Sequence, residues 1–456
     1  MASFLGEDYL LTNAVSKKIF AAIKDLPILD AHNHANVKEI AENKAYRDIW
    51  MVEAASDHYV WELMRKRGVP EKFITGDATN AEKWIALAGV FEDLAGNPTY
   101  EWIHLDLHRR FGIAKLINKE SAKAIWDETL AVLARPAMRP QELLNAMKIE
   151  VMCSTDDPVD RLEFHESLAK IKGIPRILPT WRPDKSMNIF KKDFPEYIKK
   201  LEARVGKRTE DVKSLVAALR DTHEYFEKHG CRASDHGIQV PFGYLVFGTR
   251  ANEIFKKRMA GKDLTPEDVR DYISYMMHQF AEMNSQSGWI MQVHLGAVRD
   301  YRTWLLDKLG PDTGGDISDH TTSIVEPLKD LLNAFDNKLK IVLYSIDPNQ
   351  APTLATITRA FGKDVNLGAA WWFNDSPVGM KRQLEYIGSV DLLANFAGMV
   401  TDSRKLVSYG SRTEMFRRVL SDVLGTMVEK GQVPEQIATK LAKNICYDNP
   451  KAMFGF

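Results

Sequence analysis

The sequence predicts an α/β fold: a distorted (β/α)8 TIM barrel with a large helical insertion after its first strand. Three observations carry that expectation. Eight short apolar runs end in polar, chemically capable residues. Amphipathic segments with apolar residues three and four apart separate most of them, the pattern of parallel strands joined by crossover helices. No G-x-G-x-x-G turn follows the first run, which favours a closed barrel over an open dinucleotide-binding sheet.

The runs, in order, are LPILDAHNH near 26, IEVMCSTDDP near 150, PRILPTWRPD near 176, CRASDH near 231, WIMQVHLGA near 289, LKIVLYSIDP near 340, VNLGAAWWFNDS near 365 and AGMVTDSR near 398. Helical spacing recurs between them in RLEFHESLAKI, DVKSLVAALRDTHEYFEKHG, TSIVEPLKDLLNAF, LATITRAF and GMKRQLEYI. The first interval, about 110 residues, far exceeds one crossover. The barrel is therefore expected in 1–36 and 149–456, with 37–148 a Trp-rich helical insertion, or lid, broken at Gly68, Gly96-Asn-Pro98 and Pro136. Smaller helical excursions are expected at 184–230 and 241–285, and terminal helices after 412.

With 456 residues, 45% hydrophobic and 27% charged, the chain can bury a large core. Its 61 Lys+Arg against 62 Asp+Glu give a net charge of −1, which argues against nucleic acid or an anionic membrane as partner. Any anionic ligand must be held by local arginines. Three scattered cysteines, Cys153, Cys231 and Cys446, make no disulfide framework and no structural zinc pair. The first twenty residues lack a secretory apolar stretch and no run approaches 18 apolar residues, so a cytoplasmic protein is expected.

Chemistry is expected at the C-terminal ends of barrel strands. His32 and His34 lie two apart in an extended strand, so both imidazoles point the same way and can share a divalent metal, with Asp30 or another carboxylate orienting them. Two packed or solvated histidines are the alternative. Asp402 ends the eighth run, which neighbours the first when a barrel closes, and would complete a three-ligand catalytic metal site. Asp402 also suits a helix N-cap. Arg182, Arg299 and Arg404 follow strand ends and can clamp a carboxylate or phosphate, Arg299 being better read as a surface ion pair. His58 and Tyr59 can shuttle a proton if the insertion folds over the mouth, or merely start a helix. His236 and His294 are substrate-binding or outer groups, or buried and satisfied; Trp371 and Trp372 wall a sugar-sized pocket or fill the barrel top.

The blocks ILDAHNH, HYVWELMR, YEWIHLDLHRRFGI, ILPTWRPD, ASDH, GPDTGGDIS, WWFNDSPVGM and MVTDSRKLVSYGSRTEMFRR resemble the uronate (glucuronate) isomerase family of the amidohydrolase superfamily, from about residue 5 to the C-terminus. The resemblance implies interconversion of D-glucuronate with D-fructuronate and of D-galacturonate with D-tagaturonate. It also implies one divalent ion, often zinc, on His32, His34 and Asp402. It makes His58 and Tyr59 the pair that moves a proton between substrate oxygens and sets Arg182 and Arg404 on the substrate; on the reading of the residues themselves, Asp402 is the candidate base and Arg404 stabilises developing negative charge. His294, Trp371 and Trp372 are expected to line the same pocket, and the assembly to be a homo-oligomer. The strand ends ASDH and YSIDP lack the lysine and histidine with which hydrolases of the superfamily hold a second metal, which disfavours a binuclear hydrolase. A sugar-acid binding protein without catalysis is the remaining rival.

Overall fold

A computed structural model describes residues 3–456. Seven of the eight apolar runs form parallel ladder strands: β1 Ile28–Asp30, β2 Ile149–Cys153, β3 Arg176–Leu178, β4 Ala233–Ile238 and β5 Ile290–Leu295, then β8 Ile341–Ser345 and β9 Val365–Leu367. Between β5 and β8 lie two short strands, β6 Ala297–Val298 and β7 Ile317–Ser318, which pair antiparallel outside the barrel. The barrel strands form two sheets, β1-β2-β3 and β4-β5-β8-β9. Trp181 joins them through single bridges to Asp156 and Ser234.

The eighth run closes the barrel without forming a ladder. Ala397 N–H donates to the Leu367 carbonyl, Asp402 N–H to the His32 carbonyl and His34 N–H to the Ser403 carbonyl. The pleat is broken because Gly398 and Asp402 both take left-handed backbone, at φ 96° and 49°. Asp30, expected as an orienter of the imidazoles, instead ties this seam. Its carboxylate accepts from the Thr401 N–H and hydroxyl at 3.0 and 2.5 Å and from Asn33 at 3.4 Å. Burial pushes Asp30 up to about 6.

The crossover helices fall where the spacing places them, at Glu163–Leu168, Val212–Lys228, Val325–Ala334, Ala351–Phe361 and Pro377–Val390. Val212–Lys228 starts at a capping box in which Asp211 and Ser214 bond each other's backbone. The terminal helix Ser408–Glu429 begins earlier than expected, only six residues after Asp402.

Between β1 and β2 the chain is helical, with α-helices at Val37–Glu42, Ile49–Glu53, His58–Lys66, Asn80–Ala88, Pro98–Asp106, Ala122–Leu133 and Pro140–Ala146. Gly68 and Gly96 do break it in left-handed backbone, and Asn97 caps the helix begun by Pro98. Trp50, Trp84, Phe91 and Ile103 are buried in a core that continues into Ile149 and Met152 of β2 and Ile177 of β3. The segment thus packs on the flank of the barrel while the start of its third helix, at His58, reaches the mouth.

Candidate active site

A cavity of about 980 Å³ opens over the C-terminal ends of the strands and is lined by His32, His34, His58, Arg182, His294, Trp371, Trp372, Asp402 and Arg404 among others. Of the site residues expected from the sequence, Tyr59, His236 and Asp30 are not part of that lining.

His32 Nε2 and His34 Nε2 lie 3.1 and 3.2 Å from Asp402 Oδ1. Ligand atoms 2.0–2.1 Å from one tetrahedral ion are about 3.3 Å apart, so these three atoms frame a coordination site. The other Asp402 oxygen accepts from the Trp371 indole N–H at 2.8 Å, so Trp371 orients the carboxylate as well as walling the cavity. Burial would raise the Asp402 pKa, but the hydrogen bonds from His32 and His34 hold it well below the usual range. Burial depresses His34 to about 4, so its ring is neutral and available as a ligand at physiological pH.

A second trio, His32, Asp235 and His294, adjoins the first and shares His32 with it. Asp235 Oδ1 takes the His294 Nδ1 at 2.7 Å, and Asp235 Oδ2 lies 3.8 Å from His32 Nδ1. His32 Nδ1 and His294 Nε2 are buried without a hydrogen-bond partner among the described residues, while Asp235 Oδ2 faces the Arg182 guanidinium at 3.1 Å. Orphaned imidazole nitrogens beside carboxylates are what a cation binds, and the donor set of nitrogen and oxygen suits a divalent transition metal.

Asp235 is the residue that sequence reasoning passed over in ASDH. Side chains alternate along β4, so only one of Asp235 and His236 can face the barrel interior. Asp235 does; His236 turns outward, bonded to Ser234 at 2.8 Å and stacked on Phe280. Asp235 also holds Arg182, whose guanidinium meets Asp235 Oδ2 at 3.1 Å and Asp184 Oδ2 at 3.0 Å. A Cβ at Gly237 would stand 2.3 Å from the Arg182 terminal nitrogen, so glycine is required there for the arginine to lie flat. Arg182 is therefore largely neutralised by two carboxylates, whereas Arg404 lines the cavity with no ion pair among the described residues. Arg299 does pair with Asp316, at 2.8 Å, but its guanidinium also covers the Trp372 ring at 4.8 Å and borders the cavity.

Asp57 caps the helix His58–Lys66, accepting from the Tyr59 N–H. That cap places the His58 ring against the cavity, stacked on Tyr59 with centroids 5.0 Å apart and 5.3 Å from Trp372. The Tyr59 hydroxyl points away from the cavity lining and donates to Asp375 at 3.2 Å. Arg412, from the helix Ser408–Glu429, reaches the same Asp375 oxygen at 2.8 Å and lies over the Trp102 ring at 3.8 Å. Burial lifts Asp375 to about 7 against the pull of Arg412. Behind them Lys405, almost fully buried, bridges Asp57 at 3.1 Å and Glu53 at 3.3 Å. Asp375, Arg412 and Lys405 carried no local motif; the only signal was a charged residue inside an apolar period.

The model of the family described as glucuronate isomerase matches residues 1–454. The chain belongs to the glucuronate isomerase family. These are aldose–ketose isomerases. The chain is 55% identical to the uronate isomerase of Thermotoga neapolitana over 99% of each chain. The crystal structure of uronate isomerase from Thermotoga maritima superimposes with a TM-score of 0.98 at 55% identity, covering 99% of this chain and 100% of that one. Glucuronate isomerase from Caulobacter crescentus, 27% identical, matches with a TM-score of 0.94 over 99% and 97%. Among the described residues of this glucuronate isomerase family member, no helix is long and apolar enough to cross a membrane.

Proposed function

We infer that the protein interconverts D-glucuronate with D-fructuronate and D-galacturonate with D-tagaturonate through a cis-enediol, using one divalent ion, zinc by preference of its donor set. The observation that carries this reading is the convergence of His32, His34 and Asp402 in a cavity that also presents the unpaired Arg404. A metal held by those three side chains would supply Lewis acidity and an anchor for substrate oxygens.

The conversion moves one proton from C2 to C1 and another from O2 to O1, with no net gain or loss of atoms. Asp402 is the candidate base at carbon: it sits at the cavity floor with both oxygens fixed in direction by His32, His34 and Trp371. A cis-enediol lets that single base serve both carbons from one face. Arg404 offers an uncompensated positive charge to the oxygens that become negative, and Arg182, held flat by Asp184 and Asp235, orients the chain of the sugar. His58 faces the cavity and carries the oxygen-bound proton, with Tyr59 stacked behind it and buffered by Asp375. Burial and Asp375 keep the Tyr59 phenol well above its usual pKa, so it acts as a neutral donor. His294, Trp371 and Trp372 complete the substrate wall.

Residues 37–148 serve as the lid in this reading, because His58 and the stacked Tyr59 reach the mouth from that segment. A homo-oligomer in the cytoplasm is the expected setting; the three buried, free cysteines suit a reducing compartment. Proton NMR of glucuronate and galacturonate with the zinc-loaded protein tests the assignment. Ketose signals should grow with protein and stop with chelator. Conversion of neither sugar acid, or hydrolysis of an ester or lactam in its place, would overturn it.

A further inference from the structure

A second cavity, of about 510 Å³, lies at the opposite end of the barrel, where Ile28 opens β1 and Lys148 precedes β2. Seven of its lining residues are Lys or Arg and four are Asp or Glu, an excess of three positive charges in a chain whose net charge is −1. Local pairing does not remove the excess. Lys17 meets Asp8 at 2.8 Å and Lys148 meets Asp25 at 2.7 Å, while Arg109 and Arg418 share Glu414. Arg110, Lys24 and Arg417 have no ion pair among the described residues, and the remaining carboxylate, Glu7, is exposed to solvent.

Arg110 and Arg417 also carry unmet hydrogen-bonding capacity. Arg110 makes no hydrogen bond among the described residues, and its Nε is buried without a partner. Its nearest acids, Asp106 and Glu414, act on it through space and do not touch it. Arg417, 5% exposed, gives its two terminal nitrogens to the carbonyls of Lys24 and Pro27 and leaves its Nε unpartnered. Arg109 and Arg110 sit on a single turn of π-helix, Leu107–Phe111, a geometry found often at functional sites. Gly410 leaves room for the guanidinium: a Cβ there would lie 3.0 Å from an Arg110 terminal nitrogen.

We propose that this cavity binds a small phosphate-class oxyanion, separately from the reaction cavity, with Arg110 as its principal donor and Lys24 at its rim. Buried guanidinium donors without acceptors are costly, and a tetrahedral dianion supplies acceptors in several directions at once. A monocarboxylate would leave part of the charge excess unanswered.

Titration calorimetry of the full-length, metal-loaded protein with inorganic phosphate, and separately with a hexose phosphate, tests the site and tells the free ion from the phosphorylated metabolite. Arg110→Gln should weaken binding by about tenfold or more, the usual effect of one charge-assisted hydrogen bond, without changing the KM for the sugar acid. Lys24→Gln, at an exposed position that cannot disturb the fold, should weaken it less and reduce its sensitivity to salt. Arg404→Gln should leave it intact. Binding lost in Arg404→Gln and kept in Arg110→Gln would place the anion in the reaction cavity and overturn the proposal. Absence of binding by either probe in the millimolar range would overturn it equally.

Discussion

Asp402 stands in left-handed backbone that few residues other than glycine adopt, and so does Trp372 across the cavity, at φ 49° and 51°. Such strain persists only where surroundings over-determine it, and at Asp402 two imidazoles and an indole do so. Asp402→Asn should abolish turnover and lower bound zinc in metal analysis, because an amide is a poor ligand and no base. Tyr59→Phe should lower kcat by roughly two to four decades, the usual reach of acid–base help; an unchanged kcat would leave the phenol a packing group. Asp375→Asn should weaken the native state in denaturant melts at pH 8, where the carboxylate is ionised beside the buried Arg412, and by less at pH 6, where Asp375 already carries a proton. The convergence of His32, His34 and Asp402 was legible in the sequence, because period-two alternation fixes the side of each side chain and barrel closure fixes the neighbour of the first strand. Asp235 and Asp375 were not, because alternation leaves undecided which residue of a pair faces inward and nothing local marks a carboxylate whose partner lies on a distant helix.

At the scale of elements, one helix start couples residues 37–148 to the barrel. Asp57 caps His58–Lys66 and simultaneously takes the Lys405 ammonium, three residues beyond Asp402. The cap thereby fixes His58 relative to the loop that carries Asp402. Asp57→Asn keeps an N-cap and loses the charge, whereas Asp57→Ala loses both, so the alanine variant should melt with about 1 kcal/mol less stability than the asparagine one. Strand and helix positions were readable from apolar period and from caps, down to the breaks at Gly68 and Gly96. The antiparallel pair β6–β7 was not, since two-residue strands fall below any periodic signal. The eighth run was read as a regular strand and is held by isolated hydrogen bonds, because left-handed backbone at Gly398 and Asp402 breaks the pleat that a ladder needs.

Across the whole molecule, buried acids make stability depend on pH. Burial, with Asp106 as neighbour, pushes Glu53 up to about 8. The native state therefore holds a proton that the unfolded chain, with an ordinary Glu near 4.5, has released. Stability from this group is full below that unfolded value and is lost as pH rises towards about 8. Asp375, at about 7, adds to the same slope. Calorimetric melts should show Tm falling between pH 5 and 8, and Glu53→Gln should flatten that fall.

His32 and Asp402 are 370 positions apart along the chain. At about 5–20 residues per second, a ribosome needs roughly 20–70 s to deliver the carboxylate after the imidazoles have emerged. During that interval the nascent polypeptide carries the two imidazoles without the carboxylate that they meet in the folded chain. A product that ends before residue 402 would lack the carboxylate on which the proposed ion depends.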